Sequence, residues 1–321
     1  MAGELKVLFI GAELRSGSTL LDIALGQLPS FQSCGEIRSI WREALPENPL
    51  CSCGERFRKC EFWGEVGVKA FGGWDAPSTS AAVQLATELD RLKMVPLLLL
   101  ARRWRALRAK VDAFAERLSR LYLAIRDVSG ARVVVDSSKF PSTAILLSFS
   151  ESIDLRLVHL VRDSRGVAYS WTKKIVKLDT GKLMPVQTPL VTAARWDYTN
   201  SMLHLAQTLG IPTLRLKYES FVRSPEDALR DVLRHVDEIH LEPHLQDILL
   251  GESVALTRPV HVIGGNYSKM HKSPRIRLDD EWKARMPWRQ KAVVTALTLP
   301  LLGKYGYVPS VRSPAPHRRD A

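Results

Sequence analysis

The sequence predicts an α/β fold organised around a parallel sheet. Short apolar or β-branched runs recur along the chain, at Val7 to Ile10, in RVVVDSSKFP from Arg132, at Leu155 to Val161 and at Thr213 to Lys217. Each run passes into polar or cationic residues at its carboxyl end, where open α/β sheets gather their ligands. Apolar residues at helical spacing then follow, so strand and helix alternate. With 321 residues, 45% hydrophobic and 25% charged, the chain can bury a sizeable core. Lys and Arg outnumber Asp and Glu, 46 against 34, and the net charge of +12 favours an acidic partner: nucleic acid, an anionic membrane or a multiply phosphorylated small molecule. No nucleic-acid partner is expected, because the cations are dispersed apart from Ala101 to Lys110 and no reader motif accompanies them.

The first element is Val7 to Leu21, VLFIGAELRSGSTLL. Gly11 ends the apolar run, and Arg15, Ser16, Gly17, Ser18, Thr19 and Leu20 lead into an apolar helical pattern. A strand, a loop of small residues and a helix start make a phosphate cradle, with backbone N–H groups and hydroxyls pointing at an anion. The triphosphate loop GxxxxGK[ST] is the first comparison, and it fails because Ser18 stands where its lysine would be. With the cation placed before the glycine, RSGSTLL resembles the 5′-phosphosulfate loop of sulfotransferases, which use 3′-phosphoadenosine 5′-phosphosulfate (PAPS) and no metal.

Past the first helix, Glu36 lies where the chain returns to the carboxyl edge of the sheet, although a surface glutamate at a helix start is the plainer reading. All four cysteines, Cys34, Cys51, Cys53 and Cys60, fall close together. C-x-C followed by x₆-C is not a usual zinc spacing and no histidine is near in sequence, so reduced thiols packed beneath a loop are expected, with a structural zinc or a bridge as the alternative. Two long helical patterns, Ala81 to Leu100 and Trp104 to Ile125, read as a helical insertion at about 45–128.

The second strand delivers Asp136, Ser137, Ser138 and Lys139; either Asp136 or Ser137 caps the next helix with Lys139 exposed, or Lys139 is a second cation beside the anion of Arg15. The third strand ends in LVRDSRGVAYSW. This resembles the sulfotransferase 3′-phosphate motif, which implies Arg162 and Ser170 as phosphate ligands, with Lys174 one helical turn further on. His159, inside that strand, reads as a packed residue. After the fourth strand, YESF resembles the family's Y-E-x-[LF] segment and makes Tyr218 a candidate adenine contact, against a Tyr packed at a strand end. HVIGGNYSKMHK resembles the loop that closes over the cofactor, with Asn266 and with Lys269 in place of the usual arginine.

The resemblance spans most of residues 5–307. It implies a three-layer sandwich with a central parallel sheet, a sulfotransferase fold like that of P-loop NTPases, forming a single domain over 1–307; the tail at 308–321, Pro- and Arg-rich without apolar periodicity, is expected to be disordered. It also implies PAPS as co-substrate, no metal, an unidentified acceptor, Glu36 as general base, and Arg15 and Lys139 as groups that neutralise developing charge. A P-loop kinase and a non-catalytic nucleotide- or RNA-binding protein stay open as alternatives. No apolar run reaches the ~20 residues of a spanning helix. The amino terminus enters a strand without a cationic leader, so a cytoplasmic protein is expected.

Overall fold

The computed structural model describes residues 5–174, 183, 185–264 and 274–308. Its main sheet has the strands β1 (Leu5–Ala12), β2 (Phe31–Ser33), β3 (Val133–Lys139), β4 (Ile153–Val161) and β5 (Thr213–Lys217). They pair in the order β2-β3-β1-β4-β5, and every pairing is parallel. β1 is therefore central. The chain moves outward on one side of it to reach β2 and on the other to reach β4 and β5, which creates a switch point at the carboxyl edge where α/β folds bind ligands.

Between and after the strands run α1 (Ser18–Gly26), α2 (Glu61–Phe71), α3 (Pro77–Leu89), α4 (Arg105–Ser129), α5 (Pro141–Leu147), α6 (Ser164–Thr172), α7 (Pro189–Gln207), α8 (Pro225–His235) and α9 (Trp288–Lys304). Alternation along β1 divides these into two covering layers. Val7 and Phe9 join one apolar cluster with Trp63, Leu121 and Leu203 from α2, α4 and α7, whereas Leu8 and Ile10 join another with Leu25 of α1 and Leu229 of α8. Both faces of the sheet are thus buried, which explains why its strands read as continuous apolar runs. Among the described residues no helix is long and apolar enough to cross a membrane.

The stretch between β2 and β3 is helical and carries its own aromatic packing. Trp41 meets Phe71 edge-on at 5.9 Å, and Phe57 lies 5.1 Å from Trp74. The expected helix over Ala81 to Leu100 is in fact broken, because α3 stops at Leu89 and Asp90 turns inward. Its carboxylate accepts hydrogen bonds from Ser142 Oγ and Thr143 Oγ1 at the start of α5 and pairs with Arg38 at 3.1 Å. Pro96 then sits in the first turn of the separate short helix Val95–Leu99. The strand β2 was not foreseen, since three residues carry too little alternation to register.

Candidate active site

The loop after β1 takes a left-handed backbone at two points, a conformation that strains Arg15 but not Gly17. Arg15 has φ 71° and Gly17 has φ 88°, both left-handed. Glycine is required at 17 for a second reason: a Cβ there would lie 2.5 Å from Cδ2 of Tyr218. The amides of Leu20 and Leu21 close on the Gly17 carbonyl at 3.1 and 3.3 Å. The half-buried Leu20 side chain packs against the apolar cluster beneath α1. Earlier amides of a helix start point out of the first turn, toward an anion. Ser16 and Ser18 are buried in this loop and Thr19 is half-buried; Ser16 Oγ has no hydrogen-bond partner among the described residues.

The guanidinium of Arg15 lies 5.0 Å over the ring of Trp171, and that of Arg195 lies 5.5 Å from the same ring. Burial lowers the pKa of Arg15 from its ordinary value. Arg195 also pairs with Glu13 at 3.0 Å, and Thr199 Oγ1 donates to Glu13 at 2.7 Å. Burial raises the pKa of Glu13, while Arg195 and Thr199 oppose the rise. Trp171, Arg195 and Glu13 were missed from the sequence, because only the fold brings α6 and α7 against the loop.

On the other side of β1, Glu36 Oε1 and Lys139 Nζ are 2.5 Å apart. The Lys139 side chain is 5% exposed and that of Glu36 18%. Lys139 reaches this position through a register shift: Phe9 pairs with Asp136 and Gly11 with Lys139, so β3 carries an extra residue. A bulge of that kind re-aims a side chain, and Lys139 has φ 73°. Its ammonium also donates to the Ser137 carbonyl at 3.0 Å.

Asp136 anchors both partners. Its fully buried carboxylate accepts from Tyr122 Oη at 2.5 Å, from Ser138 Oγ at 2.5 Å, from the Ser138 amide at 2.8 Å and from the Ile37 amide at 3.3 Å. Burial pushes its pKa up to about 6 against the pull of these donors. The helix-cap reading of Asp136 therefore gives way to a buried post that ties the Glu36 turn to the Lys139 turn. Glu36 is also fixed from behind, since its amide donates to the Ile263 carbonyl at 3.0 Å and Gly35 bridges Ile263.

At the end of β4, the buried guanidinium of Arg162 donates to the Arg15 carbonyl at 2.9 Å and pairs with Asp279 at 3.1 Å. Lys173 shares that carboxylate at 3.4 Å. Ser170 is buried on α6. Lys174 does not continue its helical face: α6 ends at Thr172, the Lys173 backbone is extended, and Lys174 lies exposed beyond it. Lys173 is the lysine that turns toward Arg162.

Tyr218 follows the packed reading. Its ring lies against Gly17 and 4.6 Å under the Arg162 guanidinium, leaving the residue 5% exposed. Its hydroxyl donates to the Arg277 carbonyl at 3.1 Å and accepts from the Asp279 amide at 3.2 Å. His159 is buried against Asn200 at 2.8 Å, and burial brings its pKa down to about 3, which leaves it neutral and away from the site. Asn266 and Lys269 lie outside the described residues, as does the expected tail apart from Val308.

A family profile described as "Sulfotransferase family" matches residues 8–242. Among solved structures, the sulfotransferase domain from the curacin biosynthetic pathway aligns with TM-score 0.51 and 18% identity, covering 92% of this chain and 97% of that one. The sulfotransferase domain from the Synechococcus PCC 7002 olefin synthase aligns with TM-score 0.51 and 19% identity, covering 96% and 98%. At such identities the likeness is one of fold. No curated protein sequence matches.

Proposed function

Because the chain belongs to the sulfotransferase family, we propose that it transfers the sulfuryl group of PAPS to a hydroxyl or amine of a small-molecule, carbohydrate or peptide acceptor. The observation that carries the choice of donor is the convergence of Arg162 and Lys173 on the Asp279 carboxylate, at 3.1 and 3.4 Å. Two cations around one internal anion suit a dianionic 3′-phosphate, the group that separates PAPS from ordinary adenine nucleotides. The buried hydroxyl of Ser16, without a partner among the described residues, supports a second anion in the neighbouring loop, the 5′-phosphosulfate.

The donor supplies an activated sulfuryl group on a phosphate leaving group; the residues of the chain do the rest. Glu36 takes the proton of the acceptor on a carboxylate oxygen as the new bond to sulfur forms. Lys139, held by Ser137 and the β3 bulge, sits beside Glu36 to meet charge on the sulfuryl oxygens. Arg15, Ser16, Ser18, Thr19 and the first amides of α1 would hold the 5′ end, and Arg162 and Ser170 the 3′-phosphate. Calorimetry with 3′,5′-ADP in the presence of a chelator, and with ATP both with and without magnesium, tests the reading. Micromolar 3′,5′-ADP binding is expected without magnesium, and a preference for magnesium-ATP would overturn it.

A further inference from the structure

The thiols of Cys51, Cys53 and Cys60 meet a histidine that is distant in sequence. Their sulfurs and a ring nitrogen of His261 all lie within 4.8 Å of one another. Cys53 and Cys60 are 3.6 Å apart, Cys51 and Cys60 3.8 Å, and His261 Nδ1 stands 3.3 Å from Cys60 and 3.9 Å from Cys51. A tetrahedral zinc with bonds of ~2.3 Å to sulfur and ~2.0–2.1 Å to nitrogen sets edges of about 3.8 Å between sulfurs and about 3.5 Å from sulfur to nitrogen. The four edges given lie within about 0.4 Å of those values. Cys60 has three such neighbours at once, which a single disulfide would not require.

The second coordination layer is also built. Gly54, with φ 95° and open space where a Cβ would be, lets the Cys51-Ser52-Cys53 turn close, and its amide bonds the Cys51 carbonyl at 3.0 Å. Ser52 grips the chain on both sides of His261: its amide reaches the Val262 carbonyl at 3.0 Å, its hydroxyl donates to the Val260 carbonyl at 2.5 Å and accepts from the Val262 amide at 2.8 Å. Phe62 stacks on the His261 ring at 4.6 Å, and Trp63 Nε1 donates to the His261 carbonyl at 2.9 Å. The ring is thereby oriented before any metal arrives.

We propose that the protein binds one Zn²⁺ through the sulfurs of Cys51, Cys53 and Cys60 and Nδ1 of His261. Four protein ligands close the coordination sphere, so the metal is structural and takes no part in group transfer. It staples the cysteine loop to the segment 260–264, whose Ile263 carbonyl holds the Glu36 amide. The expectation of unligated thiols rested on the unusual cysteine spacing and the lack of a nearby histidine, and the fold supplies a histidine 201 residues beyond Cys60.

The test uses the full chain, purified under reducing conditions without metal-affinity resin. One zinc per chain is expected by elemental mass spectrometry. Exchange with Co²⁺ should give strong visible bands of tetrahedral cobalt with a near-ultraviolet thiolate charge-transfer band. The exposed ligand is the gentlest to change, so Cys53→Ser should lower zinc retention at least tenfold against a chelator. Less than about a tenth of an equivalent of zinc in reduced wild-type protein, or a weak octahedral cobalt spectrum, would each overturn the site. The zinc count and the cobalt spectrum decide the matter even where a variant fails to fold, and neither depends on sulfuryl transfer.

Discussion

Arg162 and Asp279 are paired at 3.1 Å, with the guanidinium side chain 7% exposed and the carboxylate 34%. Burial alone would raise the pKa of Asp279, but Arg162 and Lys173 outweigh it and hold the carboxyl below its ordinary value. An anion that approaches Arg162 must displace this carboxylate. Arg162→Ala should weaken 3′,5′-ADP binding by about 1.5 to 3 kcal/mol and leave weak AMP binding nearly unchanged. Asp279→Asn should tighten 3′,5′-ADP binding severalfold. Calorimetry reads both, and equal losses for the two nucleotides in Arg162→Ala would remove Arg162 from the 3′-phosphate.

Glu36→Gln keeps the size of the side chain and its contact with Lys139 while removing basicity. Turnover should fall by ~10² to 10⁴, the usual range for a positioned acid–base group, with 3′,5′-ADP affinity and folding unchanged. A variant that retains more than about a tenth of wild-type kcat with the true acceptor would move the base elsewhere.

The buried Asp136 carboxylate gives a stability that depends on pH. Its pKa is about 6 in the folded protein against 3.8 for the free side chain, so between those values the folded state holds a proton that the unfolded state has lost. Stability from this group is full below pH ~4 and declines as the pH rises through ~6. Two pKa units correspond to about 3 kcal/mol. Relative to Asp136→Asn, which does not titrate, the wild-type protein should lose that amount between pH 4 and pH 7 in urea unfolding. Parallel profiles for the two proteins would show that Asp136 stays ionised throughout.

What could be read from the sequence were the local patterns. The first strand, its loop and the Arg162 motif are each contiguous, so strand, turn and helix signals fell together. Asp90, His261 and Asp279 acquire their meaning from partners elsewhere in the chain: Ser142 and Thr143, Cys60, and Arg162. No local rule reaches that far. Lys174 was assigned by helical spacing across a helix end, and spacing fails once the backbone of Lys173 becomes extended. Glu36 stood out only by its place in the chain, whereas its pairing with Lys139 depends on a bulge invisible in the residue pattern.

Gly17 offers a stability test independent of ligand. Alanine would add a Cβ 2.5 Å from Tyr218 and place it on a left-handed backbone that costs roughly 1–2 kcal/mol. Gly17→Ala should therefore destabilise the protein by about 2 to 4 kcal/mol in denaturant titration once overpacking is added. Combining it with Tyr218→Leu should recover the part due to the clash and leave the part due to the backbone. Full additivity of the two changes would mean that the ring and the loop do not press on each other.

The order of the sheet also fixes a timetable for synthesis. The central strand β1 leaves the ribosome first, yet its two neighbours are β3 and β4, the latter ending at Val161. At ~5–20 residues per second, roughly 10 to 30 seconds pass before both of its edges can pair. During that interval the helices between β2 and β3 emerge, and Trp63 and Leu121 among them belong to the same apolar cluster as Val7 and Phe9 of β1. The nascent chain thus has a helical body able to shelter an apolar strand whose partners have yet to be made, and a chain lacking that body would present β1 to other unfinished chains as an open edge.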